Sequence, residues 1–533
     1  MFHHAPFSTL AFLATVCAYT WPSPQLDELE SARFDQKGLH ANAFSGFLGS
    51  CDSFIFGPNT GRSNAADWIR MARFSETSLR IMTWRHNSKD GTGGLDASIR
   101  FAEEQARAEN AGNGFANTMI VVGTQVSRYI SNADAIALAA VMAIENCGGP
   151  EVAFRGGRID ATEPNAPGVP EPEQDLDSHI AAFARQGFTK TEMISLVACG
   201  HTFGGVQHDP FPDIVNVLND TADTEDVAHF DSTFATFDNN VATEYISGTT
   251  QNPLVVGFND TTNSDKRIFG SDGNTTMLSF ANSPALFAST CADLFARMID
   301  TVPNGVVLTD VITPLPVKPS DVVLTMNGDV LELSASVRLW NTTDTTSSVT
   351  MLWKDHIGGT GNDTLAFWDL SSATGGKYSA AWYRVATVTN AVLTDFVSLD
   401  PAAGITSMSF LVDGQLDDQN GLGFAIQDGF MLSKTSCQIE FLSARFDVAV
   451  RNGVNATRVY LEQITTDTLQ RVVVVEIDIP PPSQPVAINS AYSLWSVNVT
   501  NPNVGYAIGA EIDGIKYSTT IAYGVTAFPS CSA

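Results

Sequence analysis

The chain is 533 residues long and carries 29 basic against 58 acidic residues, a formal charge of −29. That length exceeds what one hydrophobic core supports, so two or three domains are expected. The acidic balance repels nucleic acid and anionic lipid, which argues against both as partners and against polyanion binding as the main activity.

In chain order, residues 1–18 combine His3 and His4 with an apolar run over residues 10–17 and the small-residue ending Val16-Cys17-Ala18. This is the pattern of a secretory signal peptide, and no later apolar run reaches bilayer-spanning length, so the mature protein is expected to be secreted and extracellular. Beyond it lie Cys51, Cys147, Cys199, Cys291, Cys437 and Cys531. An even number of cysteines in an oxidising compartment suggests disulfides, and without any CxxC pair there is no zinc signal. Sequons at Asn219, Asn259, Asn274, Asn341, Asn362, Asn455 and Asn498 suit a glycosylating route.

Residues 64–299 carry helical signals. The run 133–145 is apolar enough for a buried helix and stops at Gly148-Gly149. A second helix begins at Thr189, which forms a capping box with Glu192, and Gly204-Gly205 can end it. Ser283 can cap a third, through Leu286 to Met298. Prolines 314, 316 and 319 remove donors and fix φ, so residues 311–319 are expected to form a linker. Beyond it, short alternating runs flank the hairpin signal Asn327-Gly328, and Trp353, Trp382, Tyr383 and residues 471–479 continue the pattern. The fold class is therefore multidomain: a mainly α-helical domain over residues 19–310, then an all-β, sandwich-like region over residues 320–533, as one or two sandwiches.

Chemistry concentrates in Leu196-Val-Ala-Cys-Gly-His201-Thr-Phe-Gly204, where a histidine at the end of an amphipathic helix can reach a metal lying against it. A lone helical histidine is more often structural. This string, however, resembles the proximal haem-ligand motif of the plant, fungal and bacterial haem peroxidase superfamily, secreted fungal members in particular, and the resemblance covers residues 41–301. It implies haem b on His201, with Phe230 packed beneath the haem and Asp272, in Phe269-Gly-Ser-Asp272, accepting the histidine's other N–H to push electron density toward iron. It also implies a proximal calcium held by Thr202, Asp231, Thr233, Thr236 and Asp238, whose hard oxygens suit that ion. Gly94-Leu-Asp96-Ala-Ser98 resembles the distal calcium loop, and Trp68-Ile-Arg70-Met-Ala72 the start of the distal helix. Arg70 would be the distal arginine, stabilising negative charge as the O–O bond breaks. Glu104 and Asn110 fall where the family has the pair that orients its distal histidine. Without that context, these polar residues read as surface solvation.

The sequence departs from the family after Arg70. Met71-Ala72-Arg73-Phe74-Ser75 stands where an aromatic and a His-Asp pair are expected, and His86 is the nearest histidine. A shifted frame across Arg80-Ile81-Met82-Thr83-Trp84 can encode Tyr-His-Asp-Met, which fits the family's pattern after Ala72. A chain lacking that histidine loses a general acid/base usually worth about a hundredfold to ten-thousandfold, together with the aspartate ligands of the distal calcium. Among the cysteines, Cys437 and Cys531 are expected to pair as the two in the β-rich region, and Cys51 with Cys147 in the haem domain. Cys199 is either a buried thiol or half of a bridge to Cys291.

The function expected from the resemblance is oxidation of phenolic or other small donors by hydrogen peroxide in one-electron steps. Two alternatives stand beside it: a haem-binding pseudoperoxidase, and a wall- or matrix-binding protein whose β-rich region grips polysaccharide through aromatics such as Trp353 and Trp382. For those tryptophans core packing is the commoner fate.

Overall fold

The computed structural model describes residues 23–72, 86–107, 110–167, 170–389, 392–483, 488–501, 504–519 and 523–531. The expected signal peptide and residues 73–85, where the distal histidine motif departs from the family, lie outside the described residues.

The first half is helical. Helix Asn132–Asn146 starts where the Ser131 hydroxyl accepts the Asp134 N–H, is buried along nearly its whole length, and packs against helix Asn64–Ala72. Helix Lys190–Gly200 opens on the expected capping box: Thr189 accepts the Glu192 N–H at 3.3 Å and Glu192 accepts the Thr189 N–H at 2.8 Å. It ends at Gly200, short of the expected Gly204, with His201 as its C-cap. Gly204 instead turns the chain at φ +73, where its N–H donates to the Phe234 carbonyl, and leads into the strand pair Gly205–Gln207 and Val227–His229. Helix Pro284–Ile299 is capped by Ser283. The disulfides are Cys51–Cys147, Cys199–Cys291 and Cys437–Cys531; the second ties the His201 helix to Pro284–Ile299, so Cys199 is not a free thiol.

The second half is two β-sandwiches that share one sheet. A ten-stranded sheet runs through Ala366–Ala373, Tyr378–Arg384, Val330–Trp340, Val317–Asn327, Phe430–Ser433 and Ser443–Arg451. Its first part packs on a five-stranded sheet containing Val349–Lys354 and Ser407–Val412, around Leu331, Leu333, Met351, Met408 and Phe410. Its second part packs on a four-stranded sheet, Val472–Ile479, Ala456–Thr466, Gly505–Ile512 and Ile515–Ser518, around Phe446, Val448, Leu461 and Ile508. The two cores lie on opposite faces: Phe430 and Leu432 enter the second while Met431 enters the first, as strand alternation requires.

The expected linker over residues 311–319 is corrected. Strand Val317–Asn327 begins inside it, Pro319 is paired with Val337, and the Ile312 N–H donates to the Phe154 carbonyl at 2.9 Å. Lys318, inside that segment, is buried, and its ammonium reaches Glu30 at 2.7 Å and the Asp27 carbonyl at 2.8 Å, on helix Pro24–Phe34. Arg338 joins the same buried cluster through Glu30 and through Asp35 at 2.6 Å. Residues Lys37–Gly38 then add a short strand to the edge of the shared sheet.

Candidate active site

His201 is fully buried. Its Nδ1 lies 2.6 Å from Asp265 Oδ2, on the short helix Ser264–Phe269, and Asn252 donates to the same carboxylate oxygen at 2.8 Å. A carboxylate on Nδ1 fixes the ring's tautomer and orientation and raises its basicity, leaving Nε2 as the nitrogen with which a metal would be bound. Phe230 stacks on the ring, with centroids 4.0 Å apart and planes 14° from parallel. The expected partner, Asp272, is corrected: its Oδ2 accepts from the Thr276 N–H at 3.0 Å and hydroxyl at 2.6 Å, starting helix Thr275–Asn282. Seven positions separate the two aspartates, and only the fold decides which faces the imidazole.

A cleft opens between helix Asn64–Ala72 and the chain just after His201. Asp67 and Arg70 line one side, Phe203, Gly204 and Phe230 the other. Phe230 thus has one flank on the His201 ring and lines the cleft, so a flat macrocycle in the cleft would be placed beside that histidine. The donor set fits haem on its proximal side: one imidazole with its second nitrogen engaged by a carboxylate, an aromatic floor, and a facing cation.

On the opposite wall Arg70 is buried, its guanidinium 4.8 Å from the Phe115 ring centroid and 3.3 Å from the Ala111 carbonyl. Asn110 is buried too; its Nδ2 donates to the Glu104 main-chain carbonyl at 2.6 Å, while its Oδ1 has no partner among the described residues. The Glu104 carboxylate accepts the Asn165 N–H instead of holding Asn110. That leaves a buried acceptor of the kind that would take an imidazole N–H. His86 has Nδ1 at 3.3 Å from the Gly93 carbonyl, and among the described contacts nothing joins it to Arg70 or Asn110.

Hydrogen bonds link some of the oxygens expected on the proximal side. Thr202 Oγ1 lies 2.8 Å from the Asp238 carbonyl, and Asp231 Oδ1 accepts the Thr233 N–H at 3.0 Å. Asp231 Oδ2 is buried with no partner among the described residues, and burial, together with the negative charges of Asp238 and Glu244, pushes its carboxyl up to about 8. A buried carboxylate facing like charges is what a bound cation would relieve. Thr236 contributes its carbonyl 3.4 Å from Thr202 Oγ1. The distal trio does not present such a set: the Asn165 amide lies 2.9 Å from Asp96 Oδ2 and 2.8 Å from Ser98 Oγ, and Gly94 packs against Thr301 and Val302.

Outside these sets, His229 stacks on Phe234 with Nε2 at the Gly61 carbonyl, and burial pushes it down to about 4, so it is neutral near pH 7. Trp382 is fully buried and donates to Ser371 Oγ at 2.8 Å, which removes it as a surface aromatic; Trp353 is half-buried, its ring lying over Gly361.

Residues 60–283 match the family model described as Peroxidase. A WSC domain-containing protein of Arthroderma benhamiae is 37% identical over 362 residues, covering 67% of this chain and 48% of that protein. Cytosolic L-ascorbate peroxidase 2 of Arabidopsis thaliana is 34% identical over 117 residues, 22% of this chain and 46% of its own length. Mitochondrial cytochrome c peroxidase of Emericella nidulans is 31% identical over 129 residues, 23% and 35% respectively. The chain spans less than half the length of each of these relatives.

Proposed function

The chain carries a haem peroxidase superfamily domain over residues 60–283, and on that premise we propose that it is a secreted haem peroxidase that uses hydrogen peroxide to oxidise phenolic or other small donors by one-electron steps. The observation that carries this reading is the fully buried His201–Asp265 pair at 2.6 Å, with Phe230 stacked on the imidazole and lining the cleft. Haem bound there would supply the redox chemistry, accepting oxidising equivalents from peroxide and passing them to donors.

The chain's own residues set the conditions. Asp265 holds the proton on His201 Nδ1 and makes the imidazole a stronger donor. Arg70 brings a permanent positive charge to the cleft wall, where a departing peroxide oxygen gathers negative charge. Asn110 Oδ1 is positioned to orient a distal imidazole. Thr202, Asp231, Thr233, Thr236 and Asp238 would hold one calcium beside the proximal helix, stiffening the segment that carries His201. Three disulfides, and the absence of any described helix long and apolar enough to cross a membrane, support a secreted protein.

The test is the absorption spectrum of the purified protein reconstituted with haem, before and after peroxide. A Soret band that shifts and returns on adding a phenol is expected. A band that never shifts selects the pseudoperoxidase reading, which the residues that follow Arg70 favour. No haem band sinks both. The polysaccharide-binding reading loses one of its two named tryptophans, since Trp382 is in the core.

A further inference from the structure

We propose that the distal loop, residues 94–100, is a metal-free brace, closed by the Asn165 amide and anchored by a turn of the β-rich region, where the superfamily resemblance implies calcium. The inference rests on the peroxidase reading only in identifying which loop is distal.

Calcium binds about six to eight oxygens at roughly 2.3–2.6 Å. Here the Asp96 and Ser98 side-chain oxygens have protein partners. Asp96 Oδ1 accepts the Ser98 N–H at 3.0 Å, and Asn165 Nδ2 lies 2.9 Å from Asp96 Oδ2, 3.2 Å from Oδ1 and 2.8 Å from Ser98 Oγ. A carboxylate only accepts, so the amide group facing it must be the N–H₂ end. The positive end of an amide dipole thus lies among the oxygens that would surround a cation. The Asp96 carbonyl is engaged as well, by the Ala161 N–H at 2.7 Å. Gly94 is glycine for a packing reason: at φ +125, a Cβ there would lie 2.7 Å from the Thr301 carbonyl oxygen.

The brace reaches both ways. The Asn165 N–H donates to the Glu104 carboxylate, and Glu104's carbonyl holds Asn110, so the amide residue that closes the loop is also tied to Glu104 and Asn110, the residue before the Ala111 carbonyl that Arg70 donates to. Arg100, buried, donates Nη1 to the Ala97 carbonyl at 2.8 Å, Nη2 to the Ala161 carbonyl, and Nε to the Leu469 carbonyl at 2.8 Å. Asn132 donates to the Gln470 carbonyl at 2.9 Å and to Asp160 at 2.8 Å. Leu469 and Gln470 belong to the turn between strands Ala456–Thr466 and Val472–Ile479, shaped by Asp467 accepting the Leu469 and Arg471 N–H groups at 2.8 and 2.9 Å. Two carbonyls of the β-rich region therefore satisfy donors of the helical domain behind the distal wall. Arg100 and Asn165 are positioning residues for that wall.

The experiment measures bound calcium in the full-length protein after chelation and re-addition of calcium, for wild type, Asp96→Asn and Asp231→Asn. Asp96→Asn is expected to retain the wild-type calcium content. One calcium lost in that variant overturns the brace. Wild type that binds no calcium sinks the proximal calcium reading and leaves the brace standing. Hydrogen exchange tests the anchor: Arg100→Ala should speed exchange of residues 94–107 by about tenfold or more, the loss expected for a hydrogen-bonded charged group, with helix Lys190–Gly200 unchanged and Arg100→Lys giving partial rescue. Unchanged exchange at residues 94–107 overturns the anchor. Should Arg100→Ala fail to fold, Asn132→Leu removes the other contact and is read the same way.

Discussion

The two sides of the cleft are supported differently. The His201 side is held from within the helical domain, by a capping box, the Cys199–Cys291 bridge, Asp265 and the Thr202–Asp238 hydrogen bond. The Arg70 side leans on the β-rich region, through Arg100 to Leu469 and Asn132 to Gln470, with Arg128–Glu462 alongside and the Lys318–Glu30–Arg338 cluster clamping the N-terminal helix. The β-rich region outside the matched residues 60–283 is thus part of the helical domain's framework. It is not an appended module.

The largest expected effect comes from breaking the external support. Lys318→Ala strands Glu30 and Asp27 in a buried site with one cation removed, and the loss of one partner from a buried ion pair typically costs about 3–5 kcal/mol. Urea unfolding of the full chain should show it. The exposed pair Lys266–Asp260 is the control, where Lys266→Ala should leave stability nearly unchanged. Equal effects would mean the cluster does not clamp the two halves together. Next comes the internal support: calcium at about a hundredfold its Kd should add about 2.7 kcal/mol by mass action, lost on chelation and absent in Asp231→Asn. Smaller again is Asp265→Asn, which keeps the shape and removes the charge on His201 Nδ1. It should reduce peroxide turnover or haem affinity about 10- to 100-fold, whereas Asp272→Asn leaves both unchanged. The reverse order would restore Asp272 as the histidine's partner.

What the sequence makes legible follows the same division. The His201 helix is local: its cap, its amphipathic face and its terminal histidine lie within thirteen residues, and the neighbouring oxygens follow within another forty. Asp265 and Asp272 could not be separated by reading, because both follow the histidine at plausible spacing and the choice depends on how helix Ser264–Phe269 packs. The segment 311–319 reads as a linker because the partners of its Lys318, Asp27 and Glu30, lie at the other end of the helical domain. Asn165 carried no signal at all, being one asparagine in a polar loop that becomes structural only when Asp96 and Glu104 meet it. The shared sheet was illegible for a related reason: its parallel contact between Phe430–Ser433 and Val317–Asn327 joins strands about a hundred residues apart.

The smallest effect tests the junction through pH. His40 Nε2 lies 3.0 Å from Asp321 Oδ2, across the boundary between the N-terminal segment and the shared sheet, with the imidazole packed against Trp382. The hydrogen bond to Asp321 raises His40, against the opposing effect of burial; Asp321 is lowered, because His40 outweighs the carboxylate's own burial. The signs fix the window. A raised histidine contributes stability that is full below its unfolded value of about 6.5 and is lost as pH rises through the folded value. A lowered aspartate contributes stability present above about 3.9 and lost as pH falls through its folded value. The pair therefore contributes most between about pH 4 and 6.5, and because half of the Asp321 side chain is exposed, solvent screening keeps the contribution below about 1 kcal/mol. The melting temperature of His40→Ala should fall below wild type at pH 5.5 and approach it at pH 9. A constant difference across that range would mean His40 supports the junction by packing on Trp382 alone, leaving the buried Lys318–Glu30–Arg338 charges to carry its electrostatics.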